Sequence, residues 1–220
     1  MMRLAALVLG AALLVGADKG ADQSARALLE RTKTTTATYA SYGWLYQRDD
    51  EGNRTDTWAL ELHRGELYRG EGVKIRTLVN CRTHVGWLYD IASDTLTRND
   101  EIWAGACGIF SGGQIAAVDL LAPISDRRFG RLDVLRVTDR HNLRYYAIDR
   151  RGVIIRSAWA AANGSPAPCI QQEPIAILQN LPADTLFVPD ALKHSLVPER
   201  YRTAPKTVQP LALSGRRCGD

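Results

Sequence analysis

Three short runs between Thr57 and Arg98 decide the fold of this 220-residue chain: WALELH (58–63), VKIRT (73–77) and VGWLYDI (85–91). Apolar and polar residues alternate in each run, and turn-forming residues follow. An alternation with a period of two is typical of a β-strand with one apolar face and one solvated face. Consecutive runs of this kind predict an antiparallel meander.

The same pattern continues on both sides of this meander. Upstream, residues 39–46 are a predicted strand, and the cluster at 49–53 is rich in residues that favour a hairpin turn. Downstream, strands are predicted at 131–138, at 143–149, at 153–160 and, after a polar insertion, around Ile175 to Gln179.

Two helices are predicted beside the strands. Ser24 is a candidate N-cap for a short amphipathic helix over residues 25–31. After a glycine-rich loop, the apolar side chains of residues 114–121 follow helical spacing, and Pro123 ends this segment.

These elements predict a mainly β protein of the α+β type. A sheet of this many strands twists and curls, and two short helices can close its concavity without filling it. The predicted fold is therefore a curved antiparallel sheet that forms an incomplete β-barrel closed by short lid helices. A cavity with apolar walls between sheet and helices is a ligand-site geometry.

The first residues have the pattern of a secretory signal peptide. Arg3 precedes an apolar run from Leu4 to Val15, and Val15-Gly16-Ala17 fits a cleavage site. The run is shorter than the ~20 residues of a membrane-spanning helix, so a cleaved signal is favoured over a membrane anchor. We expect export to the periplasm and three regions: a signal peptide (1–17), a half-barrel domain (18–189) and a basic, proline-containing tail (190–220).

The charge of the chain is mildly basic. The formal net charge is +4, and lysines and arginines are scattered along the sequence. Nucleic-acid binding would require a basic stripe with interleaved aromatic residues, so no nucleic-acid partner is expected. Weak attraction to anionic lipid headgroups stays open. After the signal, no apolar run is long enough to span a membrane, so we do not expect an integral membrane protein.

Four cysteines occur in a chain that is predicted to reach an oxidising compartment, so disulfides are expected. Three pairings are possible. We favour Cys81 with Cys107, which would tie the sheet to the loop before the second helix, and Cys169 with Cys218, which would pin the tail. The cysteines are not spaced as C-x-x-C and the four histidines are scattered. Neither a metal site nor a cofactor is therefore expected.

No catalytic arrangement stands out in the sequence. The run GIFSG (108–112) misplaces the serine of a G-x-S-x-G elbow. Cys107 with His84 or His141 could imitate a thiol nucleophile and its base, but a disulfide is the favoured interpretation of Cys107. The carboxylates at 49–51 lie at a hairpin tip, where a solvated turn is favoured over a cation site. We therefore predict a binding protein and not an enzyme.

Three segments carry a resemblance to a known family: LELHRGELYR (60–69), GWLYD with the following LTR (86–90 and 96–98), and LPADTLFVP (181–189). They resemble the periplasmic lipoprotein carriers of the LolA type, whose last strand is similar to the third segment. The resemblance extends over roughly residues 24–189. It implies an incomplete β-barrel with helices as a lid, which binds lipid or lipoprotein acyl chains and has transfer partners at the inner and outer membranes.

The resemblance also implies roles for two residues. The arginine that holds the family's lid by hydrogen bonds falls on Arg64, and the aromatic residue four positions later falls on Tyr68, which is a candidate ligand contact. Gly65 stands where the family usually has proline.

Six further residues are candidate ligand contacts because of their size and phase: Trp44, Trp58, Trp87, Leu60, Leu62 and Tyr89. Leu60 and Leu62 have the same alternating phase as Trp58, and Tyr89 has the same phase as Trp87. If that phase faces the concavity, these side chains line an acyl site, where each buried methylene contributes roughly 0.8 kcal/mol. Otherwise they form the core beneath the helices.

Three functions fit these predictions. The first is a periplasmic lipid or lipoprotein carrier that holds acyl chains in the concave face of the open barrel. The alternative is a regulatory or envelope-stress sensor of the same fold, which binds lipoproteins and, through residues 190–220, a protein partner. The third is a purely structural protein whose concavity is filled by its own side chains.

Overall fold

A computed structural model of the protein describes residues 22–35, 37–49, 51–109, 115–139, 142–161, 169–178, 184–203 and 213. The predicted signal peptide, residues 1–17, lies outside the described residues, and so does Cys218.

The described residues contain eleven strands and two α-helices. The strands are β1 (Tyr39–Arg48), β2 (Arg54–Arg64), β3 (Leu67–Glu71), β4 (Ile75–Asn80), β5 (Val85–Asp90), β6 (Thr95–Arg98), β7 (Ala117–Asp126), β8 (Gly130–Thr138), β9 (Asn142–Ile148), β10 (Ile154–Ala161) and β11 (Cys169–Leu178). Helix α1 comprises residues 22–34, and helix α2 comprises Trp103–Ala106. Short 3-10 helices lie at Asp100–Ile102, Asp184–Leu186, Pro189–Lys193 and Glu199–Tyr201.

All eleven strands belong to one antiparallel sheet, in the order β6-β5-β4-β3-β2-β1-β11-β10-β9-β8-β7. Strands β1 to β6 form the predicted meander, and β7 to β11 form a second one. The two meanders join where β1 pairs with β11 at the centre of the sheet. Strands β6 and β7 are the two edges, so the sheet is open. The predicted mainly β fold with an open antiparallel sheet is confirmed.

Helix α1 covers one face of the sheet on its β7 side. Its buried side chains are three or four residues apart, as one face of a helix requires. Ala25, Leu28 and Leu29 form one apolar cluster with Leu135, Val137, Tyr146 and Ile148. The predicted helix after Ser24 is confirmed, and it extends to residue 34.

Helix α2 lies on the same face over the other side of the sheet, and we call this face the helix face. The side chain of Asn99 caps the preceding 3-10 helix by accepting a hydrogen bond from the N–H of Glu101. Cys107 follows α2 and forms a disulfide with Cys81 in the turn after β4. This confirms the favoured pairing of Cys81 with Cys107. The other favoured pairing involves Cys218 and so lies outside the described residues.

The predicted helix at 114–121 is wrong. Residues 117–126 form the edge strand β7, which pairs with β8 from Ala117 opposite Thr138 to Asp126 opposite Gly130. A short apolar run fits both periods, and pairing with a distant strand then decides between them. Pro123 lies where the register shifts, between Leu121 and Ile124. An irregularity on an edge strand tolerates the missing N–H of proline.

The opposite face of the sheet is covered on its β1 to β6 side by residues 184–203, which we call the strap. Leu192 of the strap is fully buried, and Phe187 and Val197 are buried as well. The described part of 181–189, which the resemblance assigns to a last strand, forms the 3-10 helix Asp184–Leu186 and a turn. That assignment is wrong: β11 is the last described strand along the chain, and Leu186 and Phe187 pack on the face of the sheet. Residues 190–203, which were expected to belong to the tail, pack on the sheet as part of the strap.

Candidate functional site

A cavity of about 470 Å³ lies on the helix face, between the C-terminal end of α1 and the residues that follow α2. Its lining residues come from both helices and from β1, β2, β3, β9, β10 and β11. The volume is within the range of about 300–1,000 Å³ that is usual for small-molecule sites. The sheet is therefore covered on this face without being filled.

The end of α1 is attached to its surroundings at close range. The hydroxyl of Thr32 donates to the carbonyl of Leu29 at 2.7 Å and accepts from the N–H of Ile109 at 3.4 Å. Gly108 has φ +83°, and a Cβ atom there would stand 3.0 Å from the carbonyl oxygen of Thr32. Only glycine takes this backbone conformation without strain. These contacts join the end of α1 to Gly108 and Ile109, and so hold together the two segments that border the cavity on the helix side.

The wall of the cavity is apolar on two sides. The side chains of Tyr68, Tyr146, Ile154 and Trp159 contribute to it, together with the Cys81–Cys107 disulfide. The disulfide ties the residues after α2 to the sheet across 26 residues of sequence. A loop of that length is stabilised by about 3–4 kcal/mol on the chain-entropy account.

The floor of the cavity carries three rings in contact. Tyr39, His63 and Tyr68 are cross-strand neighbours on β1, β2 and β3. The ring centroids of Tyr39 and His63 are 4.4 Å apart in a stacked arrangement, and those of His63 and Tyr68 are 4.9 Å apart, edge to face. Burial lowers the pKa of His63 to about 3, so the imidazole is neutral at neutral pH.

Glu61 lies next to these rings on the same face of β2. Its Oε1 accepts a hydrogen bond of 3.1 Å from Nε2 of Gln172, which reaches it from β11. Gly70 is the cross-strand partner of Glu61, and a Cβ at Gly70 would stand 2.6 Å from the hydroxyl of Tyr68. The phenol of Tyr68 therefore lies over Gly70, beside Glu61.

Burial dominates the electrostatics of this floor. It raises the pKa of the Glu61 carboxyl, and the hydrogen bond from Gln172 opposes that rise. Burial and then the charge of Glu61 raise the pKa of Tyr39 and of Tyr68 well above the usual value. Both phenols thus keep their protons at neutral pH and can donate or accept hydrogen bonds.

The structure divides the sequence-predicted site residues between the two faces of the sheet. Tyr68 lines the cavity on the helix face. The other six share the opposite face, as their common phase predicts, and lie in or against the apolar cluster beneath the strap: Trp44, Trp58, Leu60, Leu62, Trp87 and Tyr89. With the strap in place, these six have no access to the cavity.

Arg64 also contacts the strap. Its guanidinium forms an ion pair of 2.9 Å with Asp184, and both side chains are partly exposed. Arg64 therefore lies at the edge of the strap and not beside α1.

Two buried arginines hold the strap by its main chain. The guanidinium of Arg69 donates to the carbonyls of Leu186 and His194, each at 2.8 Å. That of Arg76 donates to the carbonyls of Leu192 and Lys193, again at 2.8 Å.

A buried carboxylate completes this cluster. Glu71 accepts from the N–H of Leu196 at 3.0 Å and from the hydroxyl of Ser195 at 2.9 Å. It also forms an ion pair of 2.7 Å with Arg69.

Sequence reasoning missed both polar sets. Leu62 and Leu60 are the cross-strand neighbours of Arg69 and Glu71, and Arg76 lies opposite Glu71. Charged residues at positions of the apolar face were the available signal of a buried polar cluster. Glu61 and His63 alternate with Leu60 and Leu62 along β2. Because the leucines were expected to face the cavity, Glu61 and His63 were expected to face solvent. Within the described part of the chain, no three His, Cys, Asp or Glu side chains are grouped to bind a metal ion. No helix there has the length and apolar character needed to span a membrane.

Comparisons with known proteins concern the fold. No protein-family model matches the sequence, and no curated protein matches it. An uncharacterized conserved protein from Thermus thermophilus has a similar structure, with a TM-score of 0.53 and 13% identity, covering 81% of this chain and 97% of that one. A LolA superfamily protein from Nitrosomonas europaea gives a TM-score of 0.43 at 9% identity, covering 76% of this chain and 99% of that one. A putative outer membrane lipoprotein-sorting protein domain from Vibrio parahaemolyticus gives a TM-score of 0.40 at 11% identity, covering 75% of this chain and 96% of that one.

The chain and the Thermus thermophilus protein share a fold. The fold that the sequence resemblance implies, an open antiparallel sheet with helices over one face, is confirmed. At these identities the likeness is one of architecture.

Proposed function

We propose that the protein is a periplasmic lipid or lipoprotein carrier whose ligand lies with an acyl chain in the cavity on the helix face. The cavity itself carries the proposal. A space of about 470 Å³ remains between the sheet and its two helices, whereas a purely structural protein would fill it. The predicted signal peptide and the disulfide fit an exported protein.

Hydrophobic burial provides the binding energy in this proposal. Each methylene that leaves water contributes roughly 0.8 kcal/mol, which is about a fourfold gain in affinity. Tyr146 and Ile154 would contact the chain, together with the disulfide. The six candidates beneath the strap would reach a ligand only after the strap leaves the sheet.

A chain-length series tests the proposal. Saturated amphiphiles with one headgroup and 8, 10 or 12 carbons are titrated against the exported chain by displacement of an apolar fluorescent probe. The affinity should rise by about fourfold for each added methylene until the cavity is full. An affinity that does not change with chain length contradicts an acyl site.

A variant that fills the cavity locates the binding. Ser157 lines the cavity between Tyr146 and Gln172, its cross-strand neighbours. Ser157→Phe should therefore lower the affinity for the 12-carbon amphiphile by at least about tenfold. Thr97→Phe adds the same ring on the exposed edge strand β6, outside the cavity, and should leave the affinity unchanged. Equal affinities for the two variants would place the ligand elsewhere.

A further inference from the structure

The floor of the cavity presents more hydrogen-bonding groups than the protein itself satisfies. Within the described residues, the hydroxyls of Tyr39 and Tyr68 and the ring of His63 have no hydrogen-bond partner, and Glu61 accepts one hydrogen bond, from Gln172. Tyr39 is only 3% exposed. None of these polar atoms is among the fully enclosed atoms without a partner, so each borders the cavity. A ligand that displaces water from the cavity must satisfy them, and an acyl chain supplies no hydrogen bond.

Among the described residues that line the cavity, the charges are balanced except at Glu61. Lys33 pairs with Glu30 at 2.8 Å, and Arg82 pairs with Glu66 at 2.8 Å. Arg156 pairs with Glu173 at 2.6 Å and with Asp126 at 2.7 Å.

Each cation that lines the cavity thus has a carboxylate partner. Of the two acidic side chains in the described lining, Glu66 has a cation beside it. Glu61 has only the neutral amide of Gln172. Glu61 is partly buried. A ligand that shields its unpaired carboxylate from water is costly to bind unless the ligand brings a cation.

The number and type of the free acceptors specify the cation further. Oε2 of Glu61 and the two phenol oxygens can all accept hydrogen bonds, and the phenol of Tyr68 lies beside Glu61 over Gly70. A primary ammonium group carries three donors and no acceptor. A quaternary ammonium group carries the charge without any donor, and a carboxylate or phosphate carries the wrong charge.

We propose that the ligand of this cavity carries a primary ammonium group, which Glu61, Tyr39 and Tyr68 bind at the floor while its apolar chain lies against Tyr146, Ile154 and the disulfide. This inference rests on the proposed function and names the headgroup of its ligand. The class is a primary amine on an apolar chain, either an aminolipid or a smaller amphiphilic amine.

Headgroup competition tests the assignment with one chain length. Dodecylammonium, dodecyltrimethylammonium and dodecanoate, all below their micelle concentrations, displace a neutral apolar probe from the exported chain. Charged hydrogen bonds are worth about 1.5–3 kcal/mol, so dodecylammonium should bind at least about tenfold more tightly than either of the other two.

Two variants separate the role of Glu61 from that of Glu66, the other carboxylate in the described lining of the cavity. In Glu61→Gln the preference for dodecylammonium should fall below about twofold, while the affinity of the neutral probe stays the same. Glu66→Gln removes a carboxylate that is already paired with Arg82 and should keep the full preference. Probe affinity and thermal unfolding show that both variants are folded.

The outcomes separate this inference from the proposed function. Failure of the probe and of every amphiphile to bind overturns both. Binding without a headgroup preference, or a preference that survives in Glu61→Gln, overturns the ammonium assignment and leaves the carrier standing. Incubation with vesicles of phosphatidylethanolamine or of phosphatidylcholine with the same chains, followed by native mass spectrometry, then identifies the source. Selective uptake of phosphatidylethanolamine supports an aminolipid, and uptake of dodecylammonium alone supports a smaller amine.

Discussion

Removal of the Arg69 side chain should detach the strap from the sheet. Arg69 is fully buried, and its two terminal nitrogens donate to the carbonyls of Leu186 and His194, which lie at the two ends of the strap's central part. In Arg69→Leu both carbonyls lose their partner at part-buried positions where the strap meets the sheet. The perturbation therefore acts on the main chain of the strap and leaves its apolar side chains intact.

The magnitude follows from these two contacts. An unsatisfied buried acceptor costs about 1–3 kcal/mol, so Arg69→Leu should lower the free energy of unfolding by about 3–4 kcal/mol. Glu71 also loses its buried ion pair of 2.7 Å with Arg69 and keeps only Arg76, at 4.0 Å. Removing one partner of a buried ion pair costs about 3–5 kcal/mol, so the loss should be at least as large as the two carbonyls alone indicate. Against a typical total of about 5–15 kcal/mol, this is a large loss.

Two variants calibrate the effect. Arg69→Lys keeps the charge, but a single ammonium lacks the planar fork that reaches two carbonyls, so about half of the loss should remain. Arg64→Leu removes an ion pair in which the Arg64 side chain is 38% exposed and the Asp184 side chain 81% exposed. Exposed pairs contribute about 0–1 kcal/mol, so this control should stay within about 1 kcal/mol of the wild type.

Urea unfolding followed by tryptophan fluorescence measures these differences, since Trp44 and Trp58 are buried beneath the strap. Limited proteolysis under native conditions shows whether cleavage moves into residues 184–203. An Arg69→Leu variant that loses less than about 1 kcal/mol, with a strap as resistant as in the wild type, would refute the role of the arginine. So would an Arg69→Lys variant indistinguishable from the wild type, because charge alone would then suffice.

Three further predictions concern the sheet and the cavity. Replacing both Cys81 and Cys107 by serine removes a constraint on the unfolded chain and should lower the free energy of unfolding by about 3–4 kcal/mol, seen as a lower urea midpoint without reductant; a midpoint equal to that of the oxidised wild type contradicts the pairing. Gly43→Ala would place a Cβ atom 2.2 Å from the carbonyl oxygen of Glu173 in the central strand pair and should cost about 3 kcal/mol, whereas Gly105→Ala, whose Cβ meets nothing within 4 Å, should change stability by less than about 0.5 kcal/mol; equal effects in urea unfolding would count against the close approach. The pKa of His63 is lowered to about 3 in the folded protein, below the unfolded value of about 6.5. Between these two pH values the unfolded state binds one more proton than the folded state. His63 therefore lowers the free energy of unfolding by about 1.4 kcal/mol for each unit by which the pH falls. The raised pKa of Glu61 acts in the opposite direction, so the measurement is the difference between the wild type and His63→Phe, which should grow as the pH falls; a difference that is independent of pH would refute the burial of a neutral imidazole.

The alternation in residues 58–63 and 85–91 was sufficient to predict the meander and the residues that share a face. Trp58, Leu60 and Leu62 do share a face with Trp44, as their phase requires. The apolar spacing after Ser24 was sufficient for α1, because the residues of one helical turn contact the same surface. These predictions depend on neighbours within a few residues, which the sequence displays directly.

Strand β7 shows where this local information ends. Its apolar residues fit a helix as well as a strand, and only pairing with β8 selects the strand. The strap is the stronger case. Glu71 accepts from the N–H of Leu196, 125 residues further along the chain, and no local pattern near either residue identifies the other.

The sequence by itself determined which side chains of residues 58–63 lie together: Trp58, Leu60 and Leu62 on one face, Glu61 and His63 on the other. It did so because successive strand residues point to opposite faces. The tertiary structure alone decided what covers each face. The strap closes the apolar phase and turns it into core, and α1 and α2 leave a cavity over the polar phase. The period of a strand contains no information about distant segments, so the elements that pack against the sheet decide which face has a cavity.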